Sequence, residues 1–208
     1  MIDILRFMAN LSKIRPVFHS EADFQHAFAW ELQQSDPGRR IRLEKPWNEG
    51  AKQNHLDIWA EEEGQVVAVE LKYKTRGLDV QVDQEEFHLR DQAAQDLGRY
   101  DFLKDVMRLE RMALTYQNFS GCAILLTNDS AYWKIPDNRF SVDAAFRLHE
   151  GSILTGTLTW GKNAGSGTIK NREQPILLSR RYITQWQDYS SVSRASYGLF
   201  RFLCFFFG

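Results

Sequence analysis

The chain has few cysteines, no surplus of either charge and no long apolar run. Its two cysteines, Cys122 and Cys204, both stand in apolar, strand-like stretches. That excludes a disulfide framework and a Cys-rich zinc site, and the pair reads as buried thiols in a reducing compartment. A net charge of −1 excludes a global basic field. Any polyanionic partner must then be held by locally clustered Lys and Arg. The C-terminal run Leu199–Phe207 is interrupted by Arg201 and is far shorter than the ~20 residues of a membrane helix, so a buried strand is expected there. Residues 1–11 lack the apolar stretch and cleavage site of a secretory signal, which with the free thiols points to the cytoplasm. Heptads, internal repeats and low-complexity tracts are absent. The 208 residues, 43% apolar and 13% aromatic, suffice for one domain with a real core.

The most informative stretch is residues 55–74, HLDIWAEEEGQVVAVELKYK. Ile58 and Trp59 in the first run, and Val66, Val67, Val69, Leu71 and Tyr73 in the second, suit a pleated, half-buried surface. Gly64 supplies the positive φ of a tight turn, so a β-hairpin is expected. With Glu62 and Gln65 flanking the turn, Glu61 faces Val66, Trp59 faces Ala68, and Asp57 faces Glu70. Lys72 shares the face of Glu70. Two carboxylates and an ammonium then converge.

Directly opposed like charges are destabilising. A hard divalent cation between Asp57 and Glu70 would resolve the conflict, and Lys72 would sit beside a bound water. An ordinary reading stands beside this one, in which Glu70 and Lys72 pair on an exposed sheet face. A zinc site from His55 and Asp57 with His26 or His149 is a weaker third, since no HExxH or Cys/His cluster accompanies it.

Around the hairpin, residues 2–11 pattern as a short amphipathic helix ended by Pro16. Ser20-x-x-Asp23 opens a helix over about 21–34 whose apolar stripe is Phe24, Ala27, Phe28 and Leu32. Glu31, seven residues after Phe24, falls back inside that stripe and needs a partner there; Glu21 is the reserve acid. Gln25 and His26 are expected at the surface. Residues 40–47 form a strand, joined by a polar connection, 48–54, to the hairpin. Residues 84–117 pattern as one helix bent near Gly98, with Asp101, Asp105, Arg108 and Glu110 in i,i+3 and i,i+4 pairs. Gly121–Thr127 reads as a strand buried on both faces, parallel to the strand of Glu70 through a right-handed crossover. Residues 141–148 suggest a short helix, 151–168 a β-hairpin, and 176–189 and 197–207 further strands.

Asp57, twelve intervening residues, and then Glu70-Leu71-Lys72 resemble the PD-(D/E)XK nuclease superfamily. Leu56 stands where the motif's Pro would be. The resemblance covers about residues 20–130. It implies a restriction-endonuclease-like α/β fold, a mixed β-sheet core flanked by helices, with extra C-terminal strands over about 150–208 in a single 1–208 domain. It further implies a nuclease using Mg²⁺, with Mn²⁺ as an alternative. Asp57, Glu70 and the carbonyl of Leu71 would hold the metal, Glu31 would bind it directly or through water, and Lys72 would position the attacking water. Gln92 or Gln95 with Tyr100 loosely matches a Gln-to-Tyr signature of some members. Lys74, Arg76, Arg39 and Arg40 flank the motif and could track a nucleic-acid backbone. Lys162, Lys170 and Arg172 make the 151–168 region locally basic, as a phosphate-contacting loop or a solvated one. The implied partner is nucleic acid, DNA first, with no membrane and with a homodimer as an option for cutting both strands. The competing reading is a non-catalytic module that keeps the fold and binds nucleic acid or protein.

Overall fold

The computed structural model describes residues 3–49, 52–137 and 140–208. Two helices come first, α1 (Ile4–Ile14) and α2 (Glu21–Ser35). Each starts at a side-chain cap: Asp3 accepts from the amide of Arg6, and Ser20 from that of Asp23. The strands β1 (Arg40–Glu49), β2 (Lys52–Glu62) and β3 (Gln65–Lys74) then form an antiparallel meander. The expected 48–54 connection is therefore largely strand; its middle, Gly50 and Ala51, lies outside the described residues. Glu63 and Gly64 both have positive φ, 47° and 78°, the backbone of a two-residue primed turn. The register is the expected one from Glu62 opposite Gln65 to Ile58 opposite Val69, but the ladder stops there and the expected Asp57–Glu70 pair does not form.

Residues 84–94 correct the expected long helix. β4 (Leu78–Val82) and β5 (Glu85–Leu89) form a separate hairpin, turning at Asp83 and Gln84 with φ of 48° and 71°. Leu78, Phe87 and Leu89 are buried at period two, which overrides the helical spacing of the surrounding sequence. Helix α3 (Gln95–Thr115) follows, then β6 (Phe119–Thr127), parallel to β3. Residues 144–146 make only a 3-10 turn. β7 (Ile153–Leu158) pairs with β8 (Ile176–Ile183) in a small second sheet, with the four-residue α4 (Ser166–Ile169) between them. β9 (Gln187–Ser191) and β10 (Leu199–Phe207) extend the central sheet, whose order is β1-β2-β3-β6-β10-β9. The architecture is mixed α/β, a mixed six-stranded sheet flanked by helices. No helix of the described residues is long and apolar enough to cross a membrane.

The sheet buries both faces, and β3 shows how the alternation sorts them. Val69, Leu71 and Tyr73 pack with Phe18, Phe24 and Phe28 on the α1–α2 side. Val66 and Ala68 pack with Leu103, Val106 and Leu109 of α3 on the other. Glu70 and Lys72 have the parity of Ala68, so they point beneath α3, not onto an exposed sheet face.

Gly98 sits inside α3, where glycine costs about 1 kcal/mol relative to alanine. The reason is steric: a Cβ there would lie 2.2 Å from the hydroxyl oxygen of Tyr132, which is buried and has no hydrogen-bond partner among the described residues. Gly98→Ala is expected to lower stability by about 1–3 kcal/mol despite its better helix propensity. In the Tyr132→Phe background, which removes the obstructing oxygen, the same change should cost at least about 1 kcal/mol less. Urea melts of the four proteins read this coupling directly.

Candidate active site

The site forms where β2 skips one pair with β1 and parts from β3. In the β1–β2 register the pairs Leu43–Ile58 and Lys45–Leu56 are kept, but Glu44 and Asp57 between them do not pair. Glu44 takes a left-handed φ of 50°, uncommon for a residue with a side chain. Buried Gln25 of α2 reaches into this gap, donating to the carbonyl of Asp57 at 2.7 Å and to Oε1 of Glu44 at 2.8 Å. The expected surface position of Gln25 is corrected by this double bond.

On the other side, the β2–β3 ladder ends at Ile58–Val69. Two amides of β3 beyond that point are taken by carboxylates. The Leu71 amide donates to Oδ2 of Asp57 at 2.6 Å, and the Tyr73 amide donates to Oε2 of Glu21 at 2.8 Å. Glu21 and Gln25, one turn apart on α2, thus share the face turned to the split.

Beneath α3 the charges close up. Nη2 of Arg108 lies 2.7 Å from Oε1 of Glu70 and 2.6 Å from Oδ1 of Asp105. Nζ of Lys72 lies 3.0 Å from Oδ2 of Asp105 and 3.9 Å from Oε1 of Glu21, and donates to the carbonyl of Leu71 at 3.1 Å. Glu70 is only 2% exposed, and among the described residues neither of its carboxylate oxygens has an aligned hydrogen bond, the close Arg108 contact included.

Four carboxylates, Glu21, Asp57, Glu70 and Asp105, thus face two cations, Lys72 and Arg108. Fully ionised, the cluster is two negative charges in excess. Burial pushes Asp57 up to about 6; Lys72 and the Leu71 amide pull it down, while Asp105 and Glu21 push it further up. Burial, then Asp105, raises Glu70 well above the usual carboxylate range, against the pull of Arg108. Burial alone would lower Lys72, but Asp105, Glu21 and Asp57 outweigh it and hold the ammonium charged.

The structure therefore brings Asp57, Glu70, Leu71 and Lys72 to one place. It does not bring Glu31 there. Glu31 is ten residues beyond Glu21, about 15 Å along the helix axis, and makes no hydrogen bond or ion pair among the described residues. Glu21 is the acid that arrives. Arg39 and Arg40 do not flank the site either. They sit near the hairpin turn, about 15 Å along the strands from Asp57, paired with Asp36, Glu62 and Glu61. Arg76 pairs with Asp91, and Lys74 is half-buried at the site's end of β3. Gln95 bonds Asp129 and the Tyr100 hydroxyl bonds the carbonyl of Gln174, so neither serves the cluster. His26 and His55 are exposed and His149 bonds the carbonyl of Glu150, so no zinc set assembles from them.

Asp105 and Arg108 join the cluster although their spacing is that of a helix-surface pair. The sequence signal for them is position: Asp105 stands three residues after Phe102 and four before Leu109, within the buried face of α3.

Among the described residues, no group of three or more His, Cys, Asp and Glu side chains is arranged to hold a metal ion. The donors fit a smaller protein share: Asp57, Glu70 and the Leu71 carbonyl are hard oxygens. Mg²⁺ is commonly held by one or two carboxylates completed by water and phosphate.

A carboxyl whose folded pKa is raised binds its proton more tightly folded than unfolded. For Asp57 stability is then lost as pH rises from about 4 to about 6, and the loss persists above that range. Asp57→Asn keeps an oxygen for the Leu71 amide and removes the charge. It should be more stable than wild type above pH 6, by on the order of 3 kcal/mol, and this advantage should vanish below pH 4. Chemical denaturation of both proteins from pH 3.5 to 8 measures the difference; equal stability at pH 8 would mean that Asp57 is not held under strain.

No family model, curated protein or solved structure matches this chain.

Proposed function

We propose that the chain is a metal-dependent nuclease of the PD-(D/E)XK type on a restriction-endonuclease-like core, hydrolysing phosphodiester bonds, in DNA first. The observation that carries this reading is that four carboxylates, Glu70 among them at 2% exposure and without an aligned hydrogen bond among the described residues, face only two cations, a two-charge negative excess when all are ionised. One divalent cation would balance that excess. When bound, it would neutralise charge on phosphate and make a bound water more acidic.

The chain's own residues divide the remaining work. Asp57, Glu70 and the Leu71 carbonyl would hold the ion, and Glu21 would approach it directly or through water. Asp105 fixes the Lys72 ammonium at 3.0 Å, so that it can orient the attacking water or stabilise charge developing on phosphate. Arg108 compensates Glu70 and Asp105 from the α3 side.

A specific observation favours the non-catalytic alternative. Lys72 and Arg108 already act as internal counter-ions, and Lys72 holds the Leu71 carbonyl. In that reading the cluster is a structural ion network in a binding module.

Nicking of supercoiled plasmid separates the two. The wild type should nick in Mg²⁺ or Mn²⁺, while Asp57→Asn and Lys72→Ala should lose turnover by orders of magnitude. Lys72 is also buried and paired, so Lys72→Ala should cost several kcal/mol of stability without metal. Added Mg²⁺ should then raise its melting temperature more than that of the wild type. Wild-type protein that binds DNA but never nicks it in either metal leaves the module reading.

A further inference from the structure

A cavity of about 420 Å³ opens at the end of the sheet where β3 and β6 finish. Its walls are the start of the loop after β6, with Asn128, Ser130, Trp133 and Lys134, and the β9–β10 loop with Ser193, Arg194 and Tyr197. Thr127, next to Asn128, is the register partner of Lys74, which lies four residues from Glu70, about 13 Å along the strand. The cavity and the acid cluster therefore share one end of the sheet.

The loop is built rather than loose. Buried Asn128 accepts from the amide of Arg76 at 2.7 Å and donates to the carbonyl of Tyr197 at 2.9 Å. The Val192 amide donates to the carbonyl of Gly198, and the Gly198 amide to that of Ala195. A Cβ at Gly198 would fall 2.1 Å from the carbonyl oxygen of Ser193, so the backbone crosses itself closely there. Tyr197 holds a left-handed φ of 68°, and the guanidinium of Arg76 lies 5.2 Å from its ring centroid. The residue is nevertheless 39% exposed. Strain of this kind in a lining residue persists where the surroundings over-determine it, and it gathers at binding sites.

The lining chemistry is specific. Lys134 and Arg194 are exposed and make no ion pair among the described residues, and no acidic side chain lines the cavity. Serine hydroxyls add neutral donors beside the rings of Tyr197 and Trp133, each of which carries a guanidinium over one face, Arg76 and Arg201 respectively. Cations with hydroxyls suit a phosphate; an aromatic face suits a flat base freed from its stack. Duplex DNA keeps its bases stacked and would present only phosphate. We propose that this cavity takes one nucleotide unit of a single-stranded nucleic acid, its phosphate against Lys134 and Arg194 and its base against Tyr197 and Trp133. The proposal deepens the nuclease reading by naming its substrate as a single strand or an unpaired end, but its test needs no turnover.

The test is fluorescence anisotropy of a dye-labelled oligothymidylate, without added metal, over a range of salt. Single strand should bind at least about tenfold more tightly than a duplex of equal length. The double variant Lys134→Ala/Arg194→Ala should weaken binding and flatten the dependence of log affinity on log salt by about 0.7 for each phosphate no longer neutralised. Tyr197→Asn removes the ring but tolerates the left-handed backbone, and should weaken binding by about 5- to 100-fold with the salt slope unchanged. Circular dichroism and melting curves check that each variant is folded. Duplex bound as well as single strand, no nucleic-acid binding, or binding indifferent to the pocket variants overturns the proposal. Weakening with Lys134 and Arg194 replaced but not with Tyr197 replaced also overturns it, leaving a phosphate-only site. Pocket-dependent binding with no cleavage of the same oligonucleotide in Mg²⁺ or Mn²⁺ sinks the nuclease reading and keeps this one; cleavage indifferent to the pocket variants does the reverse.

Discussion

The site depends on one backbone constraint: β3 runs past the end of its ladder with β2. A buried amide without an acceptor costs about 1–3 kcal/mol, so the amides of Leu71 and Tyr73 must find partners. The acceptors are carboxylates, Asp57 from the diverging strand and Glu21 from the first turn of α2. A ladder of carbonyls would have satisfied β3 without bringing any charge. The split instead draws two acids toward a low-dielectric region, and Gln25 stabilises the other side by taking the free carbonyl of Asp57.

Strand parity completes the cluster. Glu70 and Lys72 share the face that α3 covers, so they enter the protein beneath Asp105 and Arg108. The ion pairs formed there do not make the arrangement a stability device. Buried pairs recover little more than their desolvation, and four acids against two cations do not balance. The raised pKa of Asp57 and the upward push on Glu70 are two expressions of that imbalance. On the proposed reading, a ligand cation would remove that imbalance.

The hairpin is legible in the sequence because its signals agree: strand formers on both arms, one polar break with Gly64, and alternation that fixes the register at Glu62–Gln65. The parallel placement of β6 is legible for the same reason, an apolar run too short for a helix. Glu31 misleads because a helical stripe identifies an inward face but not which turn of the helix reaches the site; Glu21 and Glu31 both satisfy the angular test, and only the position of the split chooses between them. Asp105 and Arg108 are spaced as a routine surface pair, and burial under the sheet cannot be read from spacing. The β4–β5 hairpin is hidden by polar residues, since Asp83 and Gln84 turn without glycine. Arg39 and Arg40 are near the motif in sequence but at the opposite end of the strands.

That last displacement bears on how a near-neutral chain could hold a polyanion. The arginines near the hairpin turn are already neutralised by Asp36, Glu61 and Glu62. At the other end of the sheet, Lys74, Lys134 and Arg194 have no carboxylate partner among the described residues. These three cations are open to an external phosphate, although the total charge is −1. A field of this kind acts locally, within a Debye length of about 8–10 Å in ordinary salt, and contributes little to long-range steering. Such a surface selects a ligand by contact. Duplex offers it phosphates at fixed spacing and no exposed base face. On the single-strand proposal, a flexible strand would present a phosphate to Arg194 and a base to Tyr197 together.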